Sequence, residues 1–249
     1  MNSITGRYSV VKPAELDILA VAAHPDDIEI TCGGLLIKMV KKGYAVGALD
    51  LTRGEMGSYG DEDDRDAEAD AAARLMGLAY RGNLALKDAG VEVSQENKLK
   101  LAAVIRETRP QLVVLPHWEQ RHPDHRACHR LGYDACFLSG LKKIDIEGEP
   151  HRPRKIIYVT YFRNADYSFL VDISDEFEQK CAAVAAYKSQ FDDPETARRI
   201  FQPGIDIFEF MRVRARQLGQ LAGVQYAEAY TVKEHILIDD PLLMPISSM

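Results

Sequence analysis

The sequence predicts an α/β fold: a Rossmann-like, mostly parallel sheet with helices on both faces, in a single domain over residues 1–249. Three observations predict it. Short apolar runs alternate with helical stretches through the first 140 residues, the pattern of βαβ units with right-handed crossovers. The runs are apolar throughout, as strands buried on both faces of a parallel sheet are. Three of them, ending at Ala23, Thr52 and Leu115, lead straight into unusual polar residues, at the carboxyl edge where such sheets bind ligands.

In chain order, residues 18–23 (ILAVAA) form the first strand. Residues 33–42 read as a helix that Gly43 stops. Residues 45–52 form a second strand, and 53–60 a loop with three glycines. Residues 63–76 are an alanine-rich helix ended by Gly77; the acids of its first turn suit the positive end of the helix dipole. Ser94 caps a helix running to Thr108, closed by Pro110. Strands follow at 112–115, 156–161 and 169–171, and helices at 124–138, 174–187 and 207–221. Residues 1–15 and 240–249 read as loose termini.

Composition narrows the function. The net charge is −7, with 46% hydrophobic and 28% charged residues, which gives no clustered basic face for nucleic acid. A few arginines in a cleft can still dominate the local field and hold an anionic substrate. Cys32, Cys128, Cys136 and Cys181 form no CxxC pair and read as reduced thiols. The amino terminus lacks the apolar core of a signal peptide and no run is long enough to span a bilayer. The expectation is a cytoplasmic protein without membrane or nucleic-acid partners.

The first strand runs into His24-Pro25-Asp26-Asp27. Imidazole and carboxylate are suitable zinc ligands, and Pro25 stiffens the turn between them. Adjacent aspartates point in different directions, so one can hold metal while the other faces water. A dinucleotide-binding loop would place GxGxxG here; two carboxylates would repel a pyrophosphate, so a nicotinamide cofactor is excluded. The strand at 112–115 leads to His122-Pro123-Asp124-His125, and four of the seven histidines lie between 117 and 129. His125 and His129 could share a helix face, but Arg126 stands where HExxH has its glutamate. His125 with His24 and Asp27 is the better set: three ligands from two loops, with room for water. His117, His129, His151 and His235 carry no such pattern.

These residues resemble the LmbE-like, or PIG-L, family of zinc-dependent N-acetylglucosaminyl deacetylases. Its paired motifs stand here as residues 23–27 (AHPDD) and 122–125 (HPDH), and the similarity extends to 51–57 (LTRGEMG). Within the family, DLTRGEMG at 50–57, WEQRHPDH at 118–125, FLVDISD at 169–175 and YKSQF at 187–191 are similar to members that deacetylate N-acetylglucosaminyl malate in bacillithiol biosynthesis. The resemblance implies one Zn2+ per chain, or another divalent ion, on His24, Asp27 and His125. It implies Asp26 as general base acting on a metal-activated water. It also implies His122 as oxyanion stabiliser or acid, and Asp124 as a group that orients a histidine and raises its pKa. Arg53, Glu55 and Arg121 fall in substrate-lining loops, and residues 53–64 are the expected lid. A small N-acetylglucosamine conjugate is the expected partner, and a homo-oligomer the expected assembly. The competing readings are another metallohydrolase, such as a phosphoesterase, and a non-catalytic sugar-binding homologue.

Overall fold

Strand β1 (Ile18–Ala22) is buried at every position and takes the centre of the sheet. The computed structural model describes residues 15–57, 61–161, 165–192, 206–244 and 246. On one side β1 pairs in parallel with β2 (Val46–Thr52), and beyond it lies β3 (Tyr80–Leu86). On the other side it pairs with β4 (Leu112–Pro116), and beyond that lies β5 (Lys155–Val159). The order β3-β2-β1-β4-β5, all parallel, is the predicted Rossmann-like architecture.

Alternation along β1 divides the core. Ile18, Ala20 and Ala22 face helices α1 (Asp27–Lys41) and α2 (Glu62–Met76). Leu19, Val21 and Ala23 face α3 (Gln95–Thr108) and α4 (Pro123–Leu138). Each fully buried Leu or Ile in these layers contributes roughly 1.5–3 kcal/mol. A smaller core joins the antiparallel pair β6 (Phe169–Asp172) and β7 (Ala227–Tyr230) to α5 (Phe177–Val184) and, beyond the short helix α6 (Lys188–Phe191), to α7 (Ile207–Ala222).

Three departures from the sequence reading have physical causes. Helix α1 begins at Asp27, well ahead of Gly33. Its two glycines sit inside the helix because Glu228 and Ile173 press against it: a Cβ on Gly34 would lie 2.8 Å from each. Glu228 accepts hydrogen bonds from the Gly34 and Leu35 amides at 2.9 and 2.8 Å, and Lys180 donates to it at 2.6 Å. Strand β3 has no apolar run because it carries a buried guanidinium. Arg81 is fully buried and donates to Asp50 on β2 at 2.9 and 2.5 Å, to Glu29 on α1 at 2.5 Å and to the Tyr187 hydroxyl at 3.1 Å. Tyr187 donates in turn to Glu29 at 3.0 Å. Burial, outweighing the attraction of Arg81, pushes the Asp50 carboxyl up to about 7. Finally, the predicted helix at 174–187 shortens to α5 (Phe177–Val184), the separate short helix α6 follows it, and Pro241–Leu243 adds a 3-10 turn within the expected loose tail.

Cys32, Cys128 and Cys136 are buried and Cys181 half-buried, all as free thiols. Among the described residues no helix is long and apolar enough to cross a membrane. The expected loose segment 1–15, apart from Glu15, lies outside the described residues, as do 245, 247–249 and residues 58–60 of the expected lid.

Candidate active site

From β1 the chain turns into α1 on one face of the sheet; from the adjacent β4 it turns into α4 on the other. Diverging connections leave a crevice at the carboxyl ends of these strands, the usual ligand position in open α/β sheets. The two histidine-bearing loops border it. Thr52, at the end of β2, holds the first loop by donating its amide and hydroxyl to the Ala23 carbonyl at 2.9 and 3.0 Å. Asp26 has φ 102°, in the left-handed region where a residue with a Cβ is strained. Such strain persists where surrounding structure enforces it, commonly at functional sites.

His24, Asp27 and His125 present converging donor atoms. His24 Nδ1 and His125 Nε2 each lie 3.2 Å from Asp27 Oδ2 and 3.3 Å from each other. Four-coordinate zinc with ligands at about 2.0–2.1 Å has tetrahedral edges of about 3.3 Å. The opposite side of the His24 ring agrees with this fit. Its Nε2 lies 3.1 Å from Asp88 Oδ1 and 3.5 Å from Asp124 Oδ2. Two carboxylates there hold the ring proton on Nε2, so a neutral His24 turns the lone pair of Nδ1 toward the Asp27 oxygen. Two acceptors facing each other call for a cation between them. The same demand appears in the titration of the free side chains. Burial opposes charging His24, but the charge on Asp27 and hydrogen bonds to Asp124, Asp27 and Asp88 outweigh it and hold its pKa well above the usual imidazole range. Asp27 is held well below the carboxylate range despite burial, by His125 and His24. Burial raises Asp88, but the hydrogen bond and charge of His24 win and bring it down to about 2. His24, His122 and Asp124 form a second possible ligand group. It shares His24, yet Asp124 already accepts the Val91 amide at 3.2 Å.

Around the trio, each side chain is held by something. Burial pushes the Asp26 carboxyl up to about 8 against the attraction of Arg65, whose Nη2 lies 3.7 Å away. Arg65 itself is buried and donates to the Pro25 carbonyl at 2.6 Å, while its Nε and Nη1 have no hydrogen-bond partner among the described residues. Gly54 (φ 69°) passes so close that a Cβ there would sit 2.9 Å from Arg65 Nη2. His122 caps α4, its Nδ1 accepting the Asp124 amide at 3.2 Å, which leaves the Nε2–H of the neutral ring as a donor. Asp124 pulls the pKa of both neighbouring histidines upward, with a net rise at His24 and a net fall at His122. Burial, with His24 and His125, outweighs Asp124 and lowers His122. Tyr161 stacks on His125, ring centroids 4.5 Å apart. A cavity of about 300 Å³ opens over these groups, with Arg65, Arg121, Gln120 and Phe191 among its walls, a size in the range of small-ligand sites.

The structure thus brings together His24, Asp26, Asp27, His122, Asp124, His125 and Arg121 from the sequence reading. It does not bring Arg53 or Glu55 to the cavity. Arg53 turns to the start of α2, where it meets Glu62, Asp63 and Asp66. Three nearby carboxylates outcompete a solvent-facing pose. Glu55 accepts the Asp88 amide at 2.8 Å and so braces the aspartate beneath His24. The reading missed Asp88, Arg65 and Tyr161. Asp88 lies just past the unrecognised β3, so the carboxyl-edge rule would have found it once that strand was seen.

Residues 19–136 match the PIG-L family, described as GlcNAc-PI de-N-acetylase. The chain is 32% identical over 227 residues to the diacetylchitobiose deacetylase of Thermococcus kodakarensis, covering 85% of this chain and 80% of that protein. Its fold superposes on the crystal structure of the conserved protein TT1542 from Thermus thermophilus with a TM-score of 0.82 and 41% identity, over 90% of this chain and 97% of that one. The inhibitor complex of N,N'-diacetylchitobiose deacetylase from Pyrococcus horikoshii gives a TM-score of 0.75 and 26% identity, over 86% and 82%.

Proposed function

The chain belongs to the PIG-L family, and from that premise we propose that it is a metal-dependent deacetylase of an N-acetylglucosamine conjugate, with N-acetylglucosaminyl malate as its substrate. The observation that carries the reading is the triangle of donor atoms on His24, Asp27 and His125, with edges of 3.2, 3.2 and 3.3 Å, beside a buried carboxylate. These three residues would hold Zn2+ or another divalent ion. Such an ion polarises a carbonyl and makes bound water acidic near neutral pH.

The chain's own groups supply the rest. Asp26 takes the proton from the attacking water. Its raised pKa suits a base that works near neutral pH, and a cation nearby pulls that pKa back down. The Nε2–H of neutral His122 donates to the oxygen on which negative charge develops. Asp88, with Asp124 behind it, keeps the His24 proton on Nε2 and leaves Nδ1, beside Asp27, as the atom that would bind the ion. Arg121 lines the cavity and its guanidinium can take a carboxylate through parallel N–H bonds, which favours an acidic aglycone such as malate.

The test is release of free amine from a panel of N-acetylglucosamine conjugates by the purified, zinc-loaded chain, with Asp26→Ala as control. Activity strongest on the malate conjugate and lost in the control is the expected result. Activity on a different conjugate keeps the chemistry and discards malate. An inactive, zinc-loaded protein sinks the deacetylase reading. Two metals per chain would favour a phosphoesterase, whose chemistry often uses a metal pair.

A further inference from the structure

A second, larger groove among the described residues shares no lining residue with the cavity over His24, Asp27 and His125. It is an apolar cleft of about 900 Å³ along the outer edge of β5, with Leu35, Met39, Phe137, Ile156 and Phe169 in its walls. Arg152, Arg154 and Lys155 stand at its lip. The strand edge inside it is open. Tyr158 exchanges two backbone hydrogen bonds with Thr231, at 2.9 and 3.0 Å. Ile156 faces the same way two residues earlier, and its backbone groups make no hydrogen bond on that edge among the described residues. An exposed edge beside an apolar floor is a template for another strand.

The chain also carries a segment shaped for such a groove. It leaves the cleft at Ile236 and exposes seven large apolar side chains over residues 236–246: Ile236 58%, Leu237 95%, Ile238 42%, Leu242 91%, Leu243 80%, Met244 37% and Ile246 69%. Asp239 and Asp240 sit between its two apolar clusters. A folded chain rarely leaves so much contiguous apolar surface to water unless another surface covers it. The segment is acidic in its middle and apolar on both sides. The groove is apolar in its floor, and of the charged residues that line it Lys98, Arg152, Arg154 and Lys155 outnumber Asp134 and Glu234.

We propose that residues 236–246 form an exchange arm that docks in the β5-edge groove of a second copy of this chain. Ile236–Ile238 then add to the open edge of β5 by β-augmentation, and Asp239 and Asp240 meet Arg152, Arg154 and Lys155. Two arms exchanged reciprocally give each copy two contacts, and a stable interface buries roughly 1,200–2,000 Å² in total. The inference is independent of the reaction catalysed.

Sedimentation of the full-length chain at micromolar concentration tests it, with two variants: Leu237→Asp combined with Leu242→Asp in the arm, and Phe137→Asp in the groove. All three positions are exposed, so both variants should fold with unchanged circular dichroism and Tm. The wild type is expected to sediment as a dimer or larger assembly and each variant as a monomer. An equimolar mixture of the two variants should associate again, because one intact arm still meets one intact groove. A monomeric wild type overturns the proposal. So does an assembly that survives the arm variant, or a variant mixture that stays monomeric.

Discussion

Two clusters of buried charge meet at the first turns of α1, and they are balanced differently. In one, the Arg81 guanidinium lies between Asp50 and Glu29, with Tyr187 closing the circle. In the other, Asp27 and the rings of His24 and His125 converge, with Asp88 and Asp124 behind, and the cation they call for is not one of the trio's own side chains. The first cluster is complete once the chain folds. The second is complete only when something binds. Buried charge therefore has two meanings in one molecule: the first holds β2, β3 and α1 together, and the second is arranged to receive a cation.

Asp26→Ala should lower kcat/KM by about 10²–10⁴-fold, the range for a general base, without loss of folding. The wild-type kcat/KM should rise with pH through the Asp26 pKa, and this limb should sit above the ordinary aspartate range. Stability should run the other way. A carboxyl whose folded pKa is raised to about 8 is bound more tightly to its proton in the folded state, so its contribution is present at low pH and is lost as pH rises from about 4 toward 8. Denaturation across that window, falling less steeply with pH in Asp26→Asn than in the wild type, would bear this out. An equal slope in both would reject it.

Arg81→Met should show the opposite profile. It strands two buried carboxylates, a change worth about 3–5 kcal/mol and on the order of 10 °C in Tm. The fraction that folds should still bind one metal per chain. Loss of metal from folded Arg81→Met protein would mean that the clusters are a single unit. Asp88→Ala comes next: with the brace under His24 removed, competition with a chelator should show about 10–100-fold weaker metal binding. Smallest is the sorting of arginines. Arg121→Ala should raise KM for the malate conjugate more than for plain N-acetylglucosamine. Arg53→Ala should change neither, because its charge is absorbed by α2.

The same contrast explains what could be read in the sequence. Strands β1, β2 and β4 are apolar runs, and the histidine and aspartate motifs follow two of them directly, so the parallel sheet and the trio were legible. Strand β3 was not, because Arg81, Gly82 and Asn83 interrupt it. A guanidinium that needs Asp50 and Glu29 to enter the core looks like a surface residue until its partners are known. The start of α1 was hidden by Gly33 and Gly34, whose reason for being there is Glu228, 194 positions away from Gly34. Arg53 and Arg65 could not be told apart by type. Only the fold shows that one turns to a helix start and the other lies beneath the loop of Pro25 and Asp26.

The two loops that meet at the switch point are 101 residues apart between His24 and His125. A chain emerging from the ribosome exposes His24 and Asp27 long before β4 exists to deliver the third ligand. Contacts of such sequence separation form late, after the loop between them has been closed at an entropic cost. An ion that needs all three side chains could thus not guide the early folding of this chain. Its capture would report completion, and an ion held by the first motif alone during synthesis would have too few ligands to stay.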